Sequence, residues 1–359
     1  MPNIYRFQQN DIVNDTQKVG TSTFSNNKNN LTQVFTSSVQ ANFTSPTSSG
    51  AFFIDVFNEH TSSSSTEKQF SIAYAHRDGS GSLNFTNDTG AKGKSATGVT
   101  YAQYRNLVFG DELTNFAFND FTPKDFYILN FNRARYKHNL KPGTLNLFLT
   151  GSGAPGMFGN ASANTSGIKT LHLTDDSVTA TGSATITNIG RQFNIVSGAS
   201  GVRLGTATTQ VAGSGSYGLF YPDAGLIFLN ARAISQSLQI EPAQGDNATP
   251  DGHQVLFNSI RNGNGLDSSY FIIDSEEKIS SQFYFVRARN EQFNYTTNPS
   301  FTDNTGTLNN DSFIDNPTTF ITTIGLYNDS NDLVAVVKVS QPVTKDFTKE
   351  ALIRVKLDY

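Results

Sequence analysis

Short apolar runs with a period of two recur along the chain. In residues 351–359 apolar side chains stand at every second position, at Ala351, Ile353, Val355, Leu357 and Tyr359. Such alternation is typical of a β-strand with one dry face and one wetter face, because successive side chains point to opposite sides. Similar strand-like runs are found at 51–57, 68–76 and 333–340, and shorter runs between residues 151 and 250 lie about 8 to 12 residues apart. The pattern predicts a mainly β chain with antiparallel sheets.

These runs divide the chain into four segments. Residues 1–50 are polar with a few apolar anchors, which predicts equally an extended N-terminal arm or a first strand near residues 32–43. Residues 51–150 are predicted to form an α+β domain, and residues 151–250 a Gly- and Thr-rich β-domain that is either inserted or sequential. Residues 251–359 are predicted to form an antiparallel β-domain ending in a meander. The predicted fold is mainly β with minor helix (α+β), with sheets in a sandwich-like arrangement.

The α+β segment makes two local predictions. Apolar residues at helical spacing predict a helix over 101–110, which Gly110 can end. The tripeptide at 141–143, Lys-Pro-Gly, favours a turn because proline fixes φ and glycine permits a positive φ. The runs on either side, 126–136 and 144–150, are therefore predicted to pair as a hairpin.

The C-terminal meander is predicted to belong to the core. Its middle strand is apolar on both faces from Leu333 to Val337, which predicts a strand covered on both sides. It follows a tight turn predicted from the Asn- and Asp-rich link 328–332, and the last strand would pair along it. The predicted core positions of the two strands are Val334, Val336, Ile353, Val355 and Leu357.

Composition argues against several classes of function. The 359 residues include 29 Phe and 13 Tyr, too many aromatics for a disordered chain, and no Cys, which rules out disulfides and thiol chemistry. The formal net charge of −4 argues against bulk binding of nucleic acid. No apolar run reaches the ~18 residues of a membrane span, and the first residues do not resemble a signal peptide. We expect synthesis in a cytoplasm and neither a membrane span nor a nucleic-acid partner.

Motifs for catalysis and cofactor binding are weak. The spacing G-x-G-x-x-G occurs at 151–156 and 213–218, but neither match is followed by the helical pattern whose N-terminus would hold a pyrophosphate. The best cluster of ligand-type side chains is His172 with Asp175 and Asp176, which a strand ending in a polar turn explains more simply. We therefore expect no catalytic residue, no metal and no cofactor.

Arginine side chains concentrate in two related runs. The stretches "FYILNFNRARY" (126–136) and "FYFVRARNEQFNY" (283–295) both place Phe-Tyr before Arg-Ala-Arg. Because strand side chains repeat every second residue, each arginine pair is predicted to share one strand face. That face would be either a solvated edge or a contact for an acidic partner subunit. The candidate interface residues are Arg133, Arg135, Lys137, Arg287 and Arg289.

The C-terminal stretches "FYFVRARNEQFNYTTNPSF" and "FIDNPTTFITTIGLYNDSNDLVAVVKVSQPVTKDFTKEALIRVKLDY" resemble virion structural proteins of large contractile-tailed bacteriophages, especially T4-like marine phages. The likeness is best over residues 283–359 and weaker at "GLFYPDAGLIFLN" (218–230). It implies a structural subunit of the tail or baseplate and carries over no catalytic residue. It also implies that the partners are other virion proteins, including copies of this chain, and that the protein resides in the virion after synthesis in the host cytoplasm.

Three other functions are compatible with the sequence. A neck or head component differs from a tail component only in its position in the particle. A receptor-binding or tail-fibre protein would recognise host-surface glycans, for which aromatic, Asn, Ser and Thr side chains are suited, although the chain lacks the repeats of a fibre shaft. A tail-borne enzyme that degrades host polymers would need a catalytic pair that the sequence does not single out.

Overall fold

The computed structural model describes most of the chain, with gaps, over residues 5–25, 35–36, 53–57, 64–82, 96–151, 169–178, 184–203, 210–211, 215–242, 252–263, 271–296 and 298–359. The chain divides into two compact units. The sheet unit comprises Val19–Glu277, and the hairpin unit comprises Met1–Lys18 and Lys278–Tyr359. The predicted boundaries after residues 150 and 250 both fall inside the sheet unit.

The prediction of a mainly β, sandwich-like α+β fold built on antiparallel sheets is confirmed. Two strands, β1 (Ile12–Ser25) and β16 (Phe271–Ala288), have residues in both units. The strands that lie wholly within the sheet unit are β2 (Phe35–Thr36), β3 (Phe53–Phe57), β4 (Lys68–His76), β5 (Asp125–Phe131), β6 (Asn139–Leu140), β7 (Asn146–Thr150), β8 (Thr170–Asp175), β9 (Thr185–Thr187), β10 (Gly190–Ala199), β11 (Val202–Arg203), β12 (Gln210–Val211), β13 (Gly215–Ser216), β14 (Gly218–Tyr221) and β15 (Leu226–Asn230).

The sheet unit is organised around one antiparallel sheet, in the spatial order β7-β8-β10-β14-β15-β5-β4-β3-β2. The first residues of β16 pair with β7 at the other edge, where Phe271 lies opposite Leu147. The central strands β14, β15 and β5 are apolar at nearly every position and buried on both faces. Such continuous apolar runs are expected of strands that are covered from both sides.

Helices cover both faces of this sheet. The helices are α1 (Ala96–Phe109), α2 (Ala231–Leu238) and α3 (Gly252–Gly263). Successive side chains of β5 point to opposite faces of the sheet and therefore into two different cores. Phe126 packs with α1 in one core, and Tyr127 packs with α2 and α3 in the other. The predicted helix over 101–110 is confirmed as the main part of α1, and Gly110 follows it with a φ of 73°.

The pairing of the strands within residues 51–150 was only partly predictable. The strand-like runs 51–57 and 68–76 are confirmed as strands, and they pair with each other as β3 and β4. The predicted hairpin of 126–136 with 144–150 is wrong, because β5 pairs with β4 and β15 while β7 pairs with β8 and β16. The turn at Gly143 exists, with a φ of 85°. The two-sided burial of β5 requires a central place in the sheet, and this outweighs the local turn signal.

The hairpin unit contains three further strands and one short helix. They are α4 (Ser312–Asp315), β17 (Thr319–Tyr327), β18 (Leu333–Lys345) and β19 (Ala351–Asp358). β17 and β18 form an antiparallel hairpin, whereas β19 pairs with β16 from Ser281↔Asp358 to Ala288↔Ala351. The predicted three-stranded meander is therefore wrong in its last strand, although the alternation of that strand is confirmed: Val355 is buried, and Ile353 and Leu357 are half-buried.

The middle strand β18 is not the covered core strand that the sequence predicted. Val334 is 65% exposed and Val336 is 55% exposed. Within the described residues β18 belongs to a sheet of two strands, so no further strand extends it. An apolar pattern on both faces is equally compatible with a buried central strand and with a strand whose apolar side chains stay exposed, and Val334 and Val336 show the second case.

A buried lysine fixes the base of the hairpin. Lys345, the last residue of β18, is fully buried, and its Nζ donates hydrogen bonds to three acceptors. These are the carbonyl oxygens of Asn290 (2.9 Å) and Asp346 (2.9 Å) and the side-chain oxygen of Asn294 (2.7 Å). The ammonium thus uses all three of its donors to tie the end of β18 to the loop that follows β16.

Two buried histidines of the sheet unit predict a loss of stability in mild acid. Burial lowers the pKa of His76 to about 4, and burial lowers the pKa of His253 to about 3. The Nδ1 atom of His76 accepts hydrogen bonds from the backbone N–H groups of Asp78 and Ser80, which requires a deprotonated nitrogen. In the unfolded chain a histidine has a pKa of about 6.5.

The unfolded chain therefore binds protons as the pH falls below about 6.5, whereas the folded chain does not until about pH 4. Stability is complete above this window and is lost within it. Burial also raises the pKa of Asp125 and of Asp175, which acts in the opposite direction and makes the net loss smaller. Urea unfolding from about pH 7.5 to about pH 5 should show the free energy of unfolding falling by ~1 to 3 kcal/mol, and less in His76→Asn. A flat profile would contradict this interpretation.

Candidate functional site

The tip of the β17–β18 hairpin is a turn stabilised by asparagine. The Oδ1 atom of Asn328 accepts hydrogen bonds from the backbone N–H groups of Ser330 (3.0 Å) and Asp332 (2.8 Å). Asn331 adopts a positive φ of 63°, which asparagine tolerates better than most residues. The tight turn predicted at 328–332 is confirmed, and it sets the register in which Tyr327 lies opposite Leu333.

Large apolar side chains are exposed along this hairpin. Tyr327, Leu333 and Val336 belong to one face, since Tyr327 pairs with Leu333 and Gly325 pairs with Val336. Val334 is the extra residue at a shift of register between Leu326 and Tyr327. Tyr327, Leu333, Val334 and Val336 are 46% to 65% exposed, and we call these four side chains the hairpin patch.

Gly325 lies beneath the hairpin patch. A Cβ atom at this position would stand 3.0 Å from the ring of Tyr327 and 3.2 Å from Cδ1 of Leu333. Because glycine has no side chain, the side chains of Tyr327 and Leu333 can cover the strand at this position and form a continuous apolar surface. Near the base of the hairpin, Phe320 adds another aromatic ring that is 63% exposed.

Sequence reasoning missed the hairpin patch as a candidate site. The apolar residues of β18 were assigned to the core because their pattern does not reveal whether a covering layer exists. A sequence signal was nonetheless available, because an Asn-rich turn joins two strands that carry apolar residues on both faces. Contiguous exposed apolar surface of this kind is typical of protein–protein contacts, and Tyr is among the residue types enriched at interfaces.

Two of the predicted interface arginines do not share a strand face. Arg133 and Arg135 lie in a 3₁₀ helix that begins where β5 ends, and Asn132 caps it by accepting the N–H of Ala134. Arg135 forms an ion pair with Glu67. The guanidinium of Arg133 lies 4.6 Å from the ring centroid of Tyr136 and donates to the carbonyl of that residue. The prediction of a shared face is wrong here because the strand ends at Phe131.

The other predicted cations are exposed. Lys137 follows the 3₁₀ helix in the sheet unit. In the hairpin unit, Arg287 forms a 2.7 Å ion pair with Glu350, and Arg289 stands beyond the last residue of β16. Arg287 and Arg289 therefore do not form a strand stripe either, since only the first belongs to the strand. Their role as contacts for a partner stays a prediction.

The remaining candidate motifs show structural roles where they are described. Asp175 ends β8 and accepts the N–H groups of Gly143 and Ser177, so its carboxylate stabilises two turns. Three of the six glycines in the glycine-rich matches, Gly153, Gly156 and Gly213, lie outside the described residues. In the described ranges no group of three His, Asp or Glu side chains is arranged to hold a metal, and no described helix is long and apolar enough to cross a bilayer.

Comparison with known proteins gives no relative. The chain matches no protein-family model, no curated protein and no solved structure. Function must therefore be inferred from the residues and the geometry of the chain itself.

Proposed function

We propose that this protein is a structural subunit of a tailed-phage virion, located in the tail or baseplate, that acts through protein–protein assembly contacts. The observation that carries the proposal is the hairpin patch, a group of four exposed apolar side chains on the two-stranded β17–β18 hairpin. The resemblance of residues 283–359 to tail and baseplate proteins supports the same assignment, because the hairpin and β19 make up most of that stretch.

The hairpin is anchored at its base, and the side chains proposed to contact a partner lie near its tip. Lys345 anchors the base through three hydrogen bonds, while the four residues of the hairpin patch stand around the tip turn. The partner in this proposal is a neighbouring virion protein with a complementary apolar surface. Full burial of such a side chain contributes about 1.5 to 3 kcal/mol, and because these four are about half-exposed, covering them contributes a part of that each to a contact.

The test is the presence of the chain in the particle. Mass spectrometry of purified, protease-washed particles of the phage that encodes this chain should detect it at a constant copy number. Immunogold labelling should place it on the tail or baseplate. Absence from the washed particles would overturn the proposal, and labelling of the head or neck would correct the location.

A further inference from the structure

A polar cleft of about 430 Å³ opens on the sheet unit next to the 3₁₀ helix of Arg133. The polar and aromatic side chains that line it include Lys68, Ser71, Asn130, Asn132, Arg133 and Tyr136. Clefts of about 300 to 1,000 Å³ are typical of small-molecule sites. Because this lining is mainly polar, its ligand should be hydrophilic.

The floor of the cleft is a row of polar residues at one level of the sheet. Ser71 lies directly opposite Asn130 across β4 and β5, and Asp55 of β3 lies opposite Ser71 on the other side. These positions sit among central strands that are otherwise largely apolar and buried. The sheet therefore fixes the hydroxyl group of Ser71 and the amide group of Asn130 at the bottom of an open cleft, while Asp55 lies next to Ser71 but outside the cleft lining.

Among the described residues around the cleft, the ion pairs leave Arg133 as a cation available to a ligand. The Asp55 carboxylate is held by Lys68 Nζ at 2.6 Å and by the hydroxyl of Ser71 at 2.7 Å, so its charge is compensated. Arg135 is compensated in the same way by Glu67. Among the described residues, Arg133 has hydrogen-bond contact only with the carbonyl of Tyr136, and most of its N–H donors remain for a ligand.

The Arg133 side chain is also pre-oriented. Its guanidinium is stacked over the Tyr136 ring and tied to the Tyr136 carbonyl at 2.6 Å, while Asn132 caps the turn that carries it. A planar guanidinium held in this way matches the geometry of a carboxylate, which can accept two parallel hydrogen bonds. The cleft is several times larger than a simple anion, so the remaining space fits a hydroxylated ring.

We propose that this cleft binds a carboxylated sugar residue of the hexuronate type. Arg133 binds the carboxylate. The Ser71 oxygen, whose proton is donated to Asp55, accepts from a sugar hydroxyl, and the Asn130 amide, which also hydrogen-bonds Tyr104, contributes its remaining capacity. The proposal does not depend on the assembly function, because the isolated chain should bind the sugar. A structural subunit with such a site would contact acidic polysaccharide.

The test uses the full-length protein and two ligands that differ only in the charged group, methyl glucuronide and methyl glucoside. Isothermal titration calorimetry should detect binding of the glucuronide and at least about tenfold weaker binding of the glucoside. Arg133→Gln should weaken glucuronide binding by about tenfold or more, because it removes one charge-assisted contact. Arg135→Gln, from the same 3₁₀ helix but outside the cleft lining, should stay within about twofold of the wild type.

Three outcomes would overturn the proposal. The first is no glucuronide binding up to about 10 mM. The second is an equal loss in the Arg133 and Arg135 variants, which would indicate a general charge effect. The third is competition by inorganic phosphate at the same concentration as the glucuronide, which would indicate a site for simple anions rather than for a sugar acid.

Discussion

Replacing Lys345 by methionine should destabilise the hairpin unit by about 3 kcal/mol. The substitution keeps most of the side-chain volume but removes the ammonium that donates to Asn290, Asn294 and Asp346. The buried side-chain oxygen of Asn294 and the partly buried carbonyl groups of Asn290 and Asp346 lose their donor, at about 1 to 3 kcal/mol for a fully buried acceptor, and loss of the desolvated charge offsets part of this. Hydrogen exchange should show loss of protection in β17 and β18.

The chain offers a matched control for this variant. Lys338 lies in the same strand, pairs with Thr323 and is exposed, so Lys338→Met should change the free energy of unfolding by no more than about 0.5 kcal/mol. If the two variants had equal effects, Lys345 would not anchor the hairpin.

Replacing Phe126 by alanine should cost the sheet unit about 3 to 5 kcal/mol. The Phe126 ring is fully buried, and its centroid lies 4.5 Å from that of Phe116 and 5.5 Å from that of Phe228. The substitution leaves a cavity between α1 and the central strands and removes several aromatic contacts. Urea unfolding followed by far-UV circular dichroism should show a lower midpoint.

Phe53→Ala is the corresponding control. Phe53 belongs to β3 of the same sheet but is 40% exposed, so its truncation should cost no more than about 1 kcal/mol. A small effect at Phe126 would mean that the aromatic core under α1 can close over the missing ring.

Local elements were largely predictable from the sequence, whereas their partners were not. The helical spacing over 101–110 and the alternation in 351–359 report which faces are apolar, and both α1 and β19 follow these patterns. Strand pairing depends on residues far apart in the chain. β5 joins β4 and β15 rather than β7, and β19 joins β16 rather than β18. A local turn signal cannot decide between such partners.

The candidate site was hidden by an ambiguity of the same kind. The apolar run 333–337 indicates that both faces of the strand need apolar cover, but the sequence does not say whether this chain provides it. In the structure Val334 and Val336 are exposed, so the cover must come from elsewhere if the run serves an interface. The arginine pairs were assigned to strand faces because their spacing fits a strand, yet Arg133 and Arg135 lie where a capping asparagine has already ended β5.

The central claim is that the hairpin patch holds this protein in a virion. The most direct measurement is incorporation of the double variant Leu333→Ser, Val336→Ser, supplied in trans to a phage that lacks the gene and quantified by mass spectrometry of purified particles. Leu352→Ser is the matched control, because Leu352 is 66% exposed on β19 in the same unit. We predict about tenfold or greater loss of the double variant from particles, and wild-type levels of the control. Wild-type incorporation of the folded double variant would contradict the claim.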